Sequence, residues 1–139
     1  MSEERASNRR GFSPFVLWMG IRFSAVENGY SRCSLEVSES MMNSAGILHG
    51  GVVYSLADTG MGGSLHSSLA EGERCATIEL KIVYLSAVTE GELVCESKVI
   101  HRGDDIAVIE ADVRNDNRHV ARALGTFAIF RADRSDSAS

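Results

Sequence analysis

Residues 50 to 68 read GGVVYSLADTGMGGSLHSS, the one stretch of this chain long enough and free enough of proline to make a helix of about five turns. Glu71-Gly72-Glu73 closes it. Five glycines, at 50, 51, 60, 62 and 63, make it a poor helix in isolation, each disfavoured by up to ~1 kcal/mol relative to alanine. Close approach of a sheet backbone would offset that cost, so the helix is expected to lie against a sheet. At about 100° per residue, Val52, Val53, Leu56, Gly60 and Gly63 share the stripe read as pressed onto that sheet. Tyr54, Asp58, Met61 and Leu65 form a second stripe, and Ser55, Thr59, Gly62 and His66 a polar third face.

Upstream, Ser13-Pro14 opens a short apolar helix, FVLWM, that Gly20 ends. Two strands follow, near Ile21 to Val26 and Tyr30 to Val37, with Asn28-Gly29 as their hairpin turn. Downstream, Ile78, Leu80, Ile82 and Tyr84 alternate onto one face of a strand, as do Ala107, Ile109, Ala111 and Val113 of a later one. Gly91, Gly103 and the segment Asn115 to Asn117 punctuate these runs at hairpin-like intervals. One long helix beside late hairpins predicts an α+β fold, an antiparallel sheet of five to six strands wrapped around the central helix. With 139 residues, 44% of them hydrophobic, a single core is expected over residues 12 to 131. The polar ends, 1 to 11 and 132 to 139, read as disordered tails.

A net charge of −5 and the lack of any basic run argue against binding nucleic acid, since no group of cations stands ready to neutralise successive phosphates. Cys33, Cys75 and Cys95 lack CxxC spacing and read as small buried hydrophobes. His49, His66, His101 and His119 are scattered, so no metal is expected. No uncharged apolar run reaches the ~20 residues that span a bilayer, and the amino terminus lacks the apolar core of a signal peptide. A cytoplasmic protein without a membrane partner is the resulting expectation.

The helix entrance, Asn43-Ser44-Ala45-Gly46-Ile47-Leu48-His49-Gly50-Gly51, carries chemistry of its own. The first backbone N–H groups of a helix lack internal acceptors and sit at the positive end of its dipole. Glycines there let a ligand approach, and a donor so placed stabilises an oxyanion by typically ~3 kcal/mol. His49 is read as organising this loop. An HGG run also occurs in the oxyanion loop of lipases, but the GxSxG elbow that reading requires is missing. Asp58, in the company of Tyr54, Met61 and Leu65, is expected to be partly desolvated, which raises a carboxylate's proton affinity as a general base requires. The second stripe also needs a cover, which predicts an interface.

The run NSAGILHGGVVYSLAD, Asn43 to Asp58, resembles the signature of the PaaI-type hotdog thioesterases, a family named for phenylacetate degradation. ATIELKIVYLSA, residues 76 to 87, resembles the family's next segment, and the similarity runs from about Val16 to Phe130. It implies a hotdog fold and hydrolysis of acyl-coenzyme A thioesters, with coenzyme A entering as part of the substrate and no further cofactor. The amide of Gly50 would polarise the thioester carbonyl, and Asp58 would act as nucleophile or as base for water. Asn43 would help hold that water or the carbonyl, Thr77 would set a hydroxyl beside the acid, and His49 and Gly51 would shape the entrance.

Gly50 and Asp58 stand eight residues apart on one helix, ~12 Å along its axis, too far for both to serve one carbonyl. A site built from two chains is therefore expected, and a twofold axis makes two at once. That agrees with the family's homodimers, often paired again as dimers of dimers. Tyr54, Met61 and Leu65, with Trp18, would line a pocket suited to aromatic, branched or medium-chain acyl groups. One departure concerns the carrier: Asp104 and Asp105 follow His101-Arg102-Gly103, where many relatives place a basic residue. Arg102, Lys81, Arg118 and Arg122 remain as partners for coenzyme A phosphates, Arg102 foremost. Two other activities suit the same fold: an acyl-CoA sensor without catalysis, and a hydratase or dehydratase.

Overall fold

The computed structural model describes residues 13–132. The tails expected at 1–11 and 132–139 lie outside the described residues except for Ala132, whose amide donates to the Gly72 carbonyl at 3.1 Å and so belongs to the folded unit. The elements run α1 (Pro14–Met19), β1 (Arg22–Glu27), β2 (Tyr30–Glu36), a 3-10 turn (Glu39–Met41), α2 (Gly50–His66), β3 (Glu73–Tyr84), β4 (Glu92–Arg102), β5 (Ile106–Asn115) and β6 (Arg118–Arg131). The strands form one sheet in the order β1-β2-β4-β5-β6-β3, antiparallel throughout, with α2 packed against it. This is the hotdog arrangement. Among the described residues no helix is long and apolar enough to cross a membrane.

Local chemistry sets the joints. Ser13 caps α1 by accepting from the Val16 amide at 3.3 Å, and Gly20 ends it in the left-handed region at φ 76°. Asn28 and Gly29 both take positive φ, 50° and 78°, the conformation a two-residue hairpin turn needs. Helix α2 buries Val53, Leu56, Ala57, Gly60, Met61, Ser64 and Leu65 against inward residues such as Cys33, Cys95, Ile109 and Val113.

Helix and sheet approach closely at Gly60. A Cβ there would stand 2.8 Å from Ser97 Oγ and 3.1 Å from Cys95 Sγ, and the Gly60 carbonyl accepts from Ser31 Oγ at 2.6 Å. The glycine is thus what lets strands β2 and β4 reach the helix backbone.

The core face is rotated from the expected stripe. Val52 and Gly63 are only half-buried, whereas Met61 and Leu65, expected to line a substrate pocket, are fully buried. The angular reading placed them beside Tyr54 and Asp58, and on the helix wheel they are. Coverage along the axis separates them, because the curling sheet covers the carboxyl half of that stripe and leaves Tyr54 exposed near the amino end. Gly125 of β6 makes room, since a Cβ there would come within 2.7 Å of Met61 Sδ.

Strand β3 departs from simple alternation as well. Its register against β6 shifts between Thr77 and Glu79, a bulge at Ile78. Ile78 is 54% exposed and does not share a face with Leu80 and Ile82, which pack against the core. The extra residue inverts the parity, so Cys75 and Thr77 before it and Leu80, Ile82 and Tyr84 after it all turn toward the helix side. An unbulged strand with Leu80 and Ile82 inward would aim Thr77 away.

Gly60→Ala tests the helix–sheet contact. The added methyl overpacks against Ser97 and Cys95 and is expected to lower unfolding stability by roughly 1–3 kcal/mol in a urea titration. An unchanged midpoint would show that the helix does not depend on this approach.

Candidate active site

The loop before α2 is held by its own side chains. Asn43 Oδ1 accepts from the amides of Ala45 (2.9 Å) and Ile47 (3.1 Å), and Gly46 takes φ 76°. Asn43 therefore organises the loop through its side-chain oxygen. His49 is the N-cap of α2, its Nδ1 accepting from the Gly51 amide at 2.8 Å, while its own amide donates to the Met41 carbonyl. The imidazole thereby caps the helix and ties it to the loop.

With Gly51 satisfied by His49, the Gly50 N–H donates to no group among the described residues. Its carbonyl accepts from Tyr84 Oη at 2.8 Å, and a Cβ at Gly50 would stand 3.1 Å from the Tyr84 ring and hydroxyl. Gly50 lines a cleft of about 360 Å³ together with Ile47, Val53, Tyr84 and Leu85. Burial, and then the neighbouring Tyr54, raises the Tyr84 phenol above its ordinary value, which keeps it a donor.

Asp58 faces a different and larger cleft, about 820 Å³. It is half-buried, and Thr77 Oγ1 donates to its Oδ1 at 2.7 Å. The bulge at Ile78 is what aims Thr77 there. Tyr54, Ser55 and Thr59 lie on the same helix face, and Cys75 stands beside Thr77 in the wall. Burial raises the Cys75 thiol above its usual value, and the Asp58 charge adds to this. Phe15, Val16, Phe23, Val26 and Phe127 complete the cleft and make its far side apolar.

The structure thus brings Asp58, Thr77 and Tyr54 together and sets Gly50, Gly51 and His49 apart at the helix entrance. Gly50 and Asp58 open into separate clefts on one unbroken helix. Met61 and Leu65 line neither. Arg102 lines neither as well: its guanidinium pairs with Glu73 at 2.8 Å and donates to the Gly103 carbonyl. The Glu73 carboxyl is held below its ordinary value first by the Ala70 amide and further by Arg102. Among the described residues no three metal-ligating side chains gather. Tyr84 and the wall of Phe15, Phe23, Val26 and Phe127 were missed as site residues. Tyr84 was visible only as a strand alternation, and the wall is assembled from elements far apart in the chain.

Chemically, the entrance offers an unpaired amide donor at a helix N-terminus, and the larger cleft offers a hydroxyl-held carboxylate next to apolar space. The first suits a developing oxyanion, the second activation of a nucleophile.

Comparison with known proteins bears on the family and the fold. A family model described as the thioesterase superfamily matches residues 45–122. The protein SSO1253 of Saccharolobus solfataricus is 35% identical over 86% of this chain and 80% of its own length. The medium/long-chain acyl-CoA thioesterase YigI of Salmonella typhimurium is 25% identical over 84% of this chain and 85% of its own. In structure, the PaaI protein from the phenylacetic acid degradation operon of E. coli superposes with a TM-score of 0.81 at 22% identity, covering 95% of this chain and 93% of that one.

The cap at the entrance is testable by itself. His49→Ala removes the acceptor for the Gly51 amide and is expected to lower unfolding stability by ~1 kcal/mol, with His49→Asn recovering most of it. Equal stability of all three proteins would mean that the imidazole does not hold the helix end.

Proposed function

The chain belongs to the thioesterase superfamily, and from that membership and the geometry of its clefts we propose that it hydrolyses acyl-coenzyme A thioesters at sites shared by two subunits. The observation that carries the proposal is the pairing of a free Gly50 N–H with an Asp58 carboxylate on one rigid helix, in two clefts, ~12 Å apart along the axis. Each chain has half a site twice over. A twofold that sets the helix entrance of one copy opposite the Asp58 cleft of the other completes both.

The edge of the sheet supports such a pairing. Strand β3 is twelve residues long and lies at the sheet edge, so its outer backbone groups are open to another strand. Ile78, Val83, Tyr84 and Leu85 on or beside it are each about half-exposed. A second copy adding its own β3 would cover these side chains and bring the two α2 helices side by side.

In this reading the thioester carbonyl oxygen accepts from Gly50 of the partner subunit, while water approaches the carbonyl carbon from the Asp58 side. Thr77 fixes Oδ1, which leaves Oδ2 to take the water proton. The carbon–oxygen bond forms, the oxyanion is held by the amide, and the carbon–sulfur bond then breaks. The proton on Asp58 passes to the departing sulfur, so the products are a carboxylic acid and the thiol of coenzyme A. The name of YigI, a medium/long-chain acyl-CoA thioesterase, supports the choice of carrier. Arg102, engaged by Glu73, is not assigned to its phosphates.

Phenylacetyl-, benzoyl- and medium-chain acyl-CoA, assayed for release of free thiol, test the proposal. Turnover of at least one is expected, with Asp58→Asn lowering kcat about 10²-fold or more. Full activity in Asp58→Asn contradicts the mechanism. Tight binding without turnover indicates a sensor, and hydration of enoyl-CoA a hydratase.

A further inference from the structure

Helix α2 holds five glycines, and the structure accounts for four of them. A Cβ at Gly50 meets Tyr84 at 3.1 Å, at Gly51 the His49 ring at 2.9 Å, at Gly60 Ser97 at 2.8 Å, and at Gly63 the Phe23 ring at 2.5 Å. Gly62 is different. The nearest atom to a Cβ there is Phe127 Cε2 at 3.9 Å, an ordinary contact, and its backbone is helical. Among the described residues neither packing nor conformation requires glycine at this position, and alanine would favour the helix by up to ~1 kcal/mol.

Gly62 lines the Asp58 cleft, on the face shared with Ser55, Thr59 and His66. Phe127 flanks it and Phe23 flanks Gly63, so the apolar wall stands beside these two glycines, while Tyr54 and Ser55 sit at the other end. An acyl chain with its carbonyl at Asp58 is therefore drawn toward Gly62. One helical turn, ~6 Å, separates the two residues. At about 1.2 Å per bond of an extended chain, the acyl group reaches Gly62 after roughly five bonds.

We infer that Gly62 keeps the acyl channel open and sets its length, so that the preferred substrates are thioesters of apolar acyl groups extending beyond about five carbons. The inference rests on the thioesterase reading and sharpens it to a substrate class and a specificity-determining residue. Any side chain at this position would project into the channel, closing it to long acyl groups before short ones.

The test is kcat/KM of the full-length protein on butyryl-, hexanoyl-, octanoyl- and decanoyl-CoA, for the wild type, Gly62→Ala and Gly62→Leu. The wild type is expected to prefer the longer pair. Gly62→Leu is expected to lose at least tenfold more on decanoyl- than on butyryl-CoA, chiefly through KM, by the usual effect of overfilling an apolar pocket. Gly62→Ala should shift the same way by less, and its single methyl in ordinary contact with Phe127 keeps the measurement possible if the leucine variant does not fold. An equal loss on short and long substrates, or an unchanged chain-length profile, overturns the inference. If the wild type cleaves none of them, the hydrolase reading falls; calorimetric binding of butyryl- and decanoyl-CoA to the same proteins then decides the channel separately.

Discussion

Everything in this molecule is referred to the place where α2 touches the sheet at Gly60. The Ser31 hydroxyl reaches the helix carbonyl, and Ser97 and Cys95 fill the space a side chain would take. These short residues of β2 and β4 hold a helix whose glycines would otherwise disfavour it. Because the contact is buried and close-packed, the helix has little freedom to slide or rotate. Its amino end and its Asp58 face are thereby fixed relative to each other.

That rigidity turns a distance into a functional constraint. A donor at Gly50 and a carboxylate at Asp58, borne by one straight element, do not meet at one carbonyl. In the proposed reading, the same element repeated about a twofold would supply both groups. The side chains around these groups hold them in place: Tyr84 donates to the Gly50 carbonyl, His49 accepts from the Gly51 amide, and Thr77 donates to Asp58. None of these three contacts links neighbours along a strand; each ties a helix or loop group to a specific donor or acceptor.

Much of this was legible in the residues. Asn28-Gly29 marked its hairpin because only certain residues accept positive φ twice in succession. The glycine content of residues 50 to 63 signalled close packing, and the run from Asn43 to Asp58 signalled the entrance and the acid. What was not legible depends on tertiary coverage. Periodicity gives the angle of Met61 and Leu65 on the helix but not how far the sheet extends over them. A bulge at Ile78 has no periodic signature, since it interrupts the alternation by which strands are recognised. Thr77 was placed beside Asp58 by resemblance alone, and the bulge supplies the physical reason. Arg102 looked available because its partner, Glu73, lies twenty-nine residues away.

The central claim is that one working site needs two chains, and hybrid dimers address it directly. Gly50→Pro deletes the entrance N–H at the first helical position, where the fixed φ of proline suits a helix and the Tyr84 side chain, 3.1 Å from the added Cβ, must give by a few tenths of an ångström, and Asp58→Asn disables the acid. Each variant alone is expected to be nearly inactive on a thioester that the wild type cleaves. Purified hybrids carrying one chain of each hold one intact site, and should recover roughly half the wild-type rate per dimer. Hybrids as inactive as their parents, or a fully active monomeric wild type, would contradict the account.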